Sequence, residues 1–94
     1  MVEKEKAIYA RIYGIVQGVG YRWFTKRVAD ELGIKGYVRN MDDGSVEVLA
    51  MGDKERLEAF FEKLREGPAL SKVERIERRE VEAKEPFQGF EIRR

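Results

Sequence analysis

The sequence predicts an α+β fold: an antiparallel sheet with two helices on one face, in the order β-α-β-β-α-β. Three observations predict it. The apolar pattern switches twice from strand-like alternation to helical spacing. A strong turn signal, Asp43-Gly44, separates two strand-like runs. Those runs lie between the two helical stretches, and a hairpin between helices is the split βαβ arrangement. With 94 residues the chain is expected to form one domain spanning 1–94, with a small core.

Residues 7–13 alternate, with Ala7, Tyr9, Arg11 and Tyr13 on one side and Ile8, Ala10 and Ile12 on the other, and read as a strand. A loop follows, Gly14-Ile15-Val16-Gln17-Gly18-Val19-Gly20. From Tyr21 to Leu32 the apolar stripe Phe24, Val28 and Leu32, with Ala29 beside it, predicts an amphipathic helix, and Gly33 is placed to cap its end. Residues 35–41 and 45–51 read as the hairpin strands. Asp53 is the expected N-cap of a second helix that buries Leu57, Phe60, Phe61 and Leu64 and stops at Gly67-Pro68. Residues 72–83 read as extended, but Val73, Ile76 and Val81 do not share one parity, which a bulge would reconcile. Phe87, Phe90 and Ile92 form a last extended piece as a tail. Fraying is expected at the first three and last two residues.

Composition narrows the chemistry. The chain has no cysteine and no histidine, which removes disulfides, thiolate nucleophiles and the usual neutral-pH base. Cysteine-based metal sites and the usual imidazole metal ligand are excluded with them. No secretory segment and no long apolar run is present, so a soluble, unprocessed, cytoplasmic chain is expected, with no membrane partner. Charged residues make up 39% and are mostly Lys, Arg and Glu, a composition that suits a thermostable protein. The net charge is +1, but its distribution is uneven. Residues 1–40 carry eight Lys/Arg against four Asp/Glu, and residues 41–94 carry eleven against fourteen. The glycine loop therefore lies in the electropositive half, which suits a small anion.

Glycines let a backbone take positive φ and let a ligand approach the main chain. Successive N–H groups in such a turn converge into an anion-binding hollow, and the following helix adds its unpaired N–H groups and partial positive charge. Arg22, in the first helical turn, adds a planar fork matched to phosphate oxygens. The plain alternative is a glycine-rich β-to-α connection whose Arg22 snorkels into solvent or pairs with a surface carboxylate. Two nucleotide motifs do not fit: the loop ends Gly20-Tyr21-Arg22 rather than Gly-Lys-Ser/Thr, and Trp23 stands where a dinucleotide fingerprint has its third glycine. Asn40 has its own plain alternative, closing the hairpin. Arg39 reads as a solvated strand residue, and Tyr21 and Trp23 as packing or rim residues.

The stretches Gly14-Ile15-Val16-Gln17-Gly18-Val19-Gly20-Tyr21-Arg22, Gly36-Tyr37-Val38-Arg39-Asn40 and Asp43-Gly44-Ser45-Val46, with the terminal Gly89-Phe90, closely resemble the acylphosphatase signature. The resemblance spans essentially the whole chain. It implies a ferredoxin-like βαββαβ sandwich, hydrolysis of the carboxyl-phosphate bond of acyl phosphates, and no metal or organic cofactor. It implies that the backbone amides of Gln17, Gly18, Val19, Gly20 and Tyr21 hold the phosphate together with Arg22, and that Asn40 orients the attacking water. Inorganic phosphate would be the product, and a monomer is expected. Met41 departs from the family, which often has a threonine there, so no hydroxyl is expected at that place.

Such a reaction does not need imidazole. The leaving group is a carboxylate with a pKa of about 4, so it departs without a general acid. What remains is positioning and electrostatic stabilisation. Two rival readings belong to other classes. An RNA-binding module shares the element order, but its aromatic motif belongs where this chain has Ser45-Val46-Glu47-Val48-Leu49-Ala50-Met51, and the net charge offers little counterion release, so no nucleic-acid partner is expected. A non-catalytic anion-binding domain would keep the hollow and lack turnover.

Overall fold

The computed structural model describes residues 5–83 and 85–94. The expected fraying of residues 1–3 lies outside the described residues. The elements are β1 (Lys6–Ile15), α1 (Tyr21–Leu32), β2 (Lys35–Asn40), β3 (Val46–Gly52), α2 (Lys54–Glu66), β4 (Lys72–Val81) and β5 (Phe90–Arg93). The sheet order is β4-β1-β3-β2-β5. The β4-β1, β1-β3 and β3-β2 pairs are antiparallel, as expected. The tail extends the sheet as a fifth strand, and it runs parallel to β2, pairing Gly36 with Phe90 and Val38 with Ile92. The sheet is therefore mixed rather than wholly antiparallel.

Alternation decides which side of each strand meets the helices. Ala10 and Ile12 of β1, Val38 of β2, and Val46, Val48 and Ala50 of β3 are buried in one cluster with Val28 and Ala29 of α1 and with Leu57, Phe60, Phe61 and Leu64 of α2. Truncating a ring such as Phe60 in a core of this kind costs about 3–5 kcal/mol. The buried stripe of α1 is rotated from the expected one. Phe24 and Leu32 are only partly buried, whereas Tyr21 and Thr25 are fully inside. Hydrogen bonds make this possible: Tyr21 Oη donates to the Leu64 carbonyl at 2.6 Å, and Thr25 Oγ1 to the Tyr21 carbonyl at 2.8 Å. At the other end of α1, Gly33 is left-handed with φ of 69°, the expected cap.

The parity conflict in β4 has two causes. Tyr13 pairs with Arg75 and Gly14 with Val73, so Glu74 is an extra residue and Val73 returns to the side of Ile76. Val81 faces the opposite side of the sheet, against a second cluster built on Ala7, Met51 and Phe87. Phe87 accordingly lies outside the tail strand, on the face away from Phe90. Gly14 is required by the close approach of the strands, since a Cβ there would sit 2.1 Å from the Lys72 carbonyl oxygen. This lets β1 run two residues past the expected end at Tyr13, up to the glycine loop.

Candidate active site

The loop leaves β1 through Val16, which is buried and pins its entry. Gly18 and Gly20 then take φ of 74° and 80°, while Gln17 and Val19 keep negative φ. A Cβ on either glycine would meet nothing within 4 Å, so the requirement is conformational, not spatial. Backbone alternating in this way turns consecutive N–H groups toward one hollow. Among the described residues, the N–H groups of Gln17, Gly18, Val19 and Gly20 donate to no backbone carbonyl or side chain. The first N–H groups of α1 have no carbonyl one turn back, and the first bond into the helix is from Phe24 N–H to the Gly20 carbonyl. No side chain caps this end, and no acidic residue lies in its first turn. The result is a row of unpaired donors running from the loop into a positive helix end.

Topology brings Arg22 and Asn40 to the same end. β1 and β2 run in the same direction, both antiparallel to β3. α1 starts where β1 stops, so its first turn lies at the end of the sheet where β2 finishes with Asn40. Lys26, one turn after Arg22, donates to the Phe90 carbonyl at 3.1 Å and pairs with Asp30 at 2.9 Å, which seats α1 over β2 and β5. Arg22 is half-buried and pairs with no carboxylate among the described residues, so the surface-pair alternative fails.

Asn40 does not close the turn. It is the last paired residue of β2, opposite Val46. The turn is made by Met41 to Ser45: Gly44 N–H donates to the Met41 carbonyl at 3.1 Å, Met41 N–H to the Ser45 carbonyl at 2.9 Å, and Asp43 accepts from Ser45 N–H at 2.9 Å. Met41 thus acts through its main chain. Asn40 shares the helix-facing parity of Val38, and its Oδ1 is buried and accepts no hydrogen bond from the described residues. Leaving such an acceptor unpaired costs about 1–3 kcal/mol.

Gln17 contributes more than its backbone. Its Nε2 donates to the Met41 carbonyl at 2.8 Å and to the Ser45 carbonyl at 2.9 Å. Both amide hydrogens are thereby used to fasten the loop to the hairpin that carries Asn40. No local pattern announces this, because the partners lie 24 and 28 residues away. Arg39 also differs from its expected role. Its Nε donates to the buried Glu47 carboxylate at 2.8 Å, alongside Tyr9 at 2.6 Å and Tyr37 at 3.0 Å. Burial pushes the Glu47 carboxyl up, but these three donors outweigh it and hold it below the ordinary glutamate value. Burial and the bond to Glu47 push the Tyr37 hydroxyl up to about 12. This cluster braces the sheet face away from the helices.

The arrangement is a small α+β domain in which the glycine loop, the first turn of α1 with Arg22, and the end of β2 with Asn40 lie at one end of the sheet. Among the described residues, no three His, Cys, Asp or Glu side chains group to hold a metal ion. Among the described residues, no helix is long and apolar enough to cross a membrane.

Comparison with known proteins identifies the class further. The acylphosphatase family model matches residues 8–92. An acylphosphatase of Thermotoga petrophila is 47% identical, covering 94% of this chain and 97% of its own length. One of Thermococcus kodakarensis is 45% identical over 95% of this chain and 97% of its own. The crystal structure of the acylphosphatase from Bacillus subtilis superposes with a TM-score of 0.91 at 37% identity, covering 95% of this chain and 99% of that one. The chain belongs to the acylphosphatase family, enzymes that hydrolyse the acid-anhydride bond of acyl phosphates, and its fold is the ferredoxin-like α+β sandwich of that family.

Proposed function

We propose that this chain hydrolyses acyl phosphates by in-line attack of a water oriented by Asn40. The N–H groups of Gln17, Gly18, Val19, Gly20 and Tyr21 hold the phosphoryl oxygens, and Arg22 binds them from the first turn of α1. Asn40 Oδ1, buried and without a donor among the described residues, is the observation that carries the reading. Accepting one O–H of a water there turns a lone pair of that water toward phosphorus. Asn40 is an amide and takes no proton near neutral pH. As the water oxygen bonds to phosphorus, the bond from phosphorus to the acyl oxygen breaks. The carboxylate leaves with that electron pair, and the water's proton passes to a phosphate oxygen or to solvent. Backbone dipoles and the guanidinium stabilise the crowded charge, and they are already in place before reaction. Every step is assigned without a metal or cofactor, and the unit that works is a monomer.

Hydrolysis of benzoyl phosphate, followed optically with a chelator present, tests this. The expected result is turnover that the chelator leaves unchanged. Asn40→Ala is expected to lower kcat by about 10²-fold or more while inorganic phosphate binds with affinity near wild type. Wild-type turnover in Asn40→Ala would remove the water-orienting role. Phosphate binding by the wild type without any turnover would leave a non-catalytic anion-binding domain.

A further inference from the structure

The glycine loop and the hairpin leave the sheet as separate segments. The β1-β3 register ends at Ile12 opposite Val46, while β1 goes on pairing with β4 as far as Ile15. Among the described residues, the hydrogen bonds that join residues 16–20 to residues 41–45 are the two donated by Gln17 Nε2.

The two acceptors stand on either side of the hairpin mouth. Met41 directly follows Asn40, and Ser45 directly precedes Val46, the residue paired with Asn40. A backbone carbonyl only accepts, so facing two of them fixes the amide nitrogen at this place and uses both of its hydrogens. One planar group thereby ties the loop to both strands at the point where Asn40 ends β2.

Each segment holds its own shape without this tie. On the loop side, Val16 is buried, Val19 packs against the main core and Tyr21 is bonded to the Leu64 carbonyl. On the hairpin side, the turn keeps its own main-chain bonds among Met41, Gly44 and Ser45. Arg11 Nε also donates to Ser45 Oγ at 3.0 Å. Losing the Gln17 side chain therefore leaves both segments folded and removes what sets one against the other.

We infer that the Gln17 side chain is a positioning residue for hydrolysis: it holds Asn40 in fixed relation to the phosphate loop, so that the water lies in line with the bond that breaks. The inference rests on the hydrolytic reading above and assigns a further side chain to that site. In that reading phosphate and water are held by different segments, so their alignment is only as good as the link between the segments. Misplacement by about 1 Å costs up to about 10²-fold in rate. The signature of a lost link is a fall in kcat with phosphate binding retained.

The test is a double-mutant cycle on benzoyl phosphate with wild type, Gln17→Met, Asn40→Ala and the pair. Methionine keeps the length of the side chain and donates no hydrogen bond. Gln17→Met is expected to lower kcat about tenfold, with KM and the dissociation constant of inorganic phosphate within about twofold of wild type. In the Asn40→Ala background the same substitution is expected to change kcat by less than about twofold, since it acts through a group already removed. Equal losses in both backgrounds, or a loss carried by phosphate affinity, would mean general loosening of the loop and overturn the inference, with the hydrolytic reading intact. Wild-type kcat in Gln17→Met overturns it as well. No turnover of benzoyl phosphate by wild type ends both. Hydrogen exchange in the unsubstituted enzyme gives a readout that depends on no variant's folding. The side-chain amide hydrogens of Gln17 are expected to exchange at least about tenfold more slowly than those of Gln88, the other glutamine, which is exposed. Equal exchange at the two glutamines would also overturn the inference.

Discussion

The two helices begin in opposite ways. α2 is capped by Asp53, whose carboxylate accepts from Arg56 N–H at 2.9 Å, and Glu55 stands at its second position. Lys63 and Arg65 occupy its last turn. The Asp53 cap, Glu55, Lys63 and Arg65 complement the helix dipole, while Lys54 and Arg56 in the first turn and Glu66 at the end oppose it. α1 has none of these provisions. Its N-cap is Gly20, without a side chain, and its second position is Arg22, the wrong sign for that end. Its last turn holds Asp30 and no basic residue. One chain thus contains a helix end closed by its own carboxylates and another left open with a cation beside it. The open end lacks stabilisation that a cap and an acid would have supplied, of about 1 kcal/mol or more. What it keeps is a set of N–H groups without a partner among the described residues, the groups proposed to bind the phosphate.

Removing the cation should break this contrast most. Arg22→Ala is expected to lower kcat/KM for benzoyl phosphate by at least about 10²-fold, since in the proposed mechanism the guanidinium meets charge that grows in the transition state. Inorganic phosphate should also stop raising the melting temperature of this variant, because stabilisation by a ligand requires that it bind the folded state. Retained phosphate protection would show that the loop amides bind the anion unaided and that Arg22 acts only later in the reaction.

Several features were legible because they are local. The period change at Tyr21, the cap at Asp53 and the turn at Asp43-Gly44 each depend on neighbours within a few residues. The glycine-rich turn into α1 was readable for the same reason, and Gly18 and Gly20 take the positive φ that it needs. What escaped depends on distant partners. Tyr21 and Thr25 belong inside only because Leu64 and the helix backbone accept their hydroxyl hydrogens. Val81 broke the parity of β4 because a second apolar cluster covers the other face of the sheet. The parallel tail strand pairs with β2, some fifty residues earlier, so no pattern in the tail itself specifies its direction. Within the site, the Gln17 side chain and the lone Asn40 Oδ1 became visible only when the hairpin was placed beside the loop.

The closed helix end offers the matching control. Asp53→Ala should destabilise the fold by about 1 kcal/mol in urea unfolding, the usual cost of losing such a cap. At temperatures where the variant remains folded, kcat/KM should stay at the wild-type value, because α2 begins far from the loop in the sequence and shares no donor with it. A drop in kcat/KM without a drop in folded fraction would mean that the two ends are coupled, and the contrast between them would be misdrawn.

The smallest effect is the most specific to the comparison. Arg22→Glu gives α1 the residue type that α2 carries at its second position. In phosphate-free buffer it is expected to raise the unfolding free energy by about 0.5 kcal/mol, although activity is lost. Arg22 is half-buried, so replacing its stem also changes packing. Arg22→Gln separates the two contributions, because glutamine and glutamate have nearly the same shape and differ in charge. The gain should appear between glutamine and glutamate and fade at high salt. Adding phosphate to about ten times its dissociation constant should reverse the ranking, since wild type then gains about 1.4 kcal/mol that the glutamate variant cannot. If glutamate proves no more stable than glutamine without phosphate, the open end of α1 carries no electrostatic strain, and its missing acid cannot be attributed to the proposed binding of an anion.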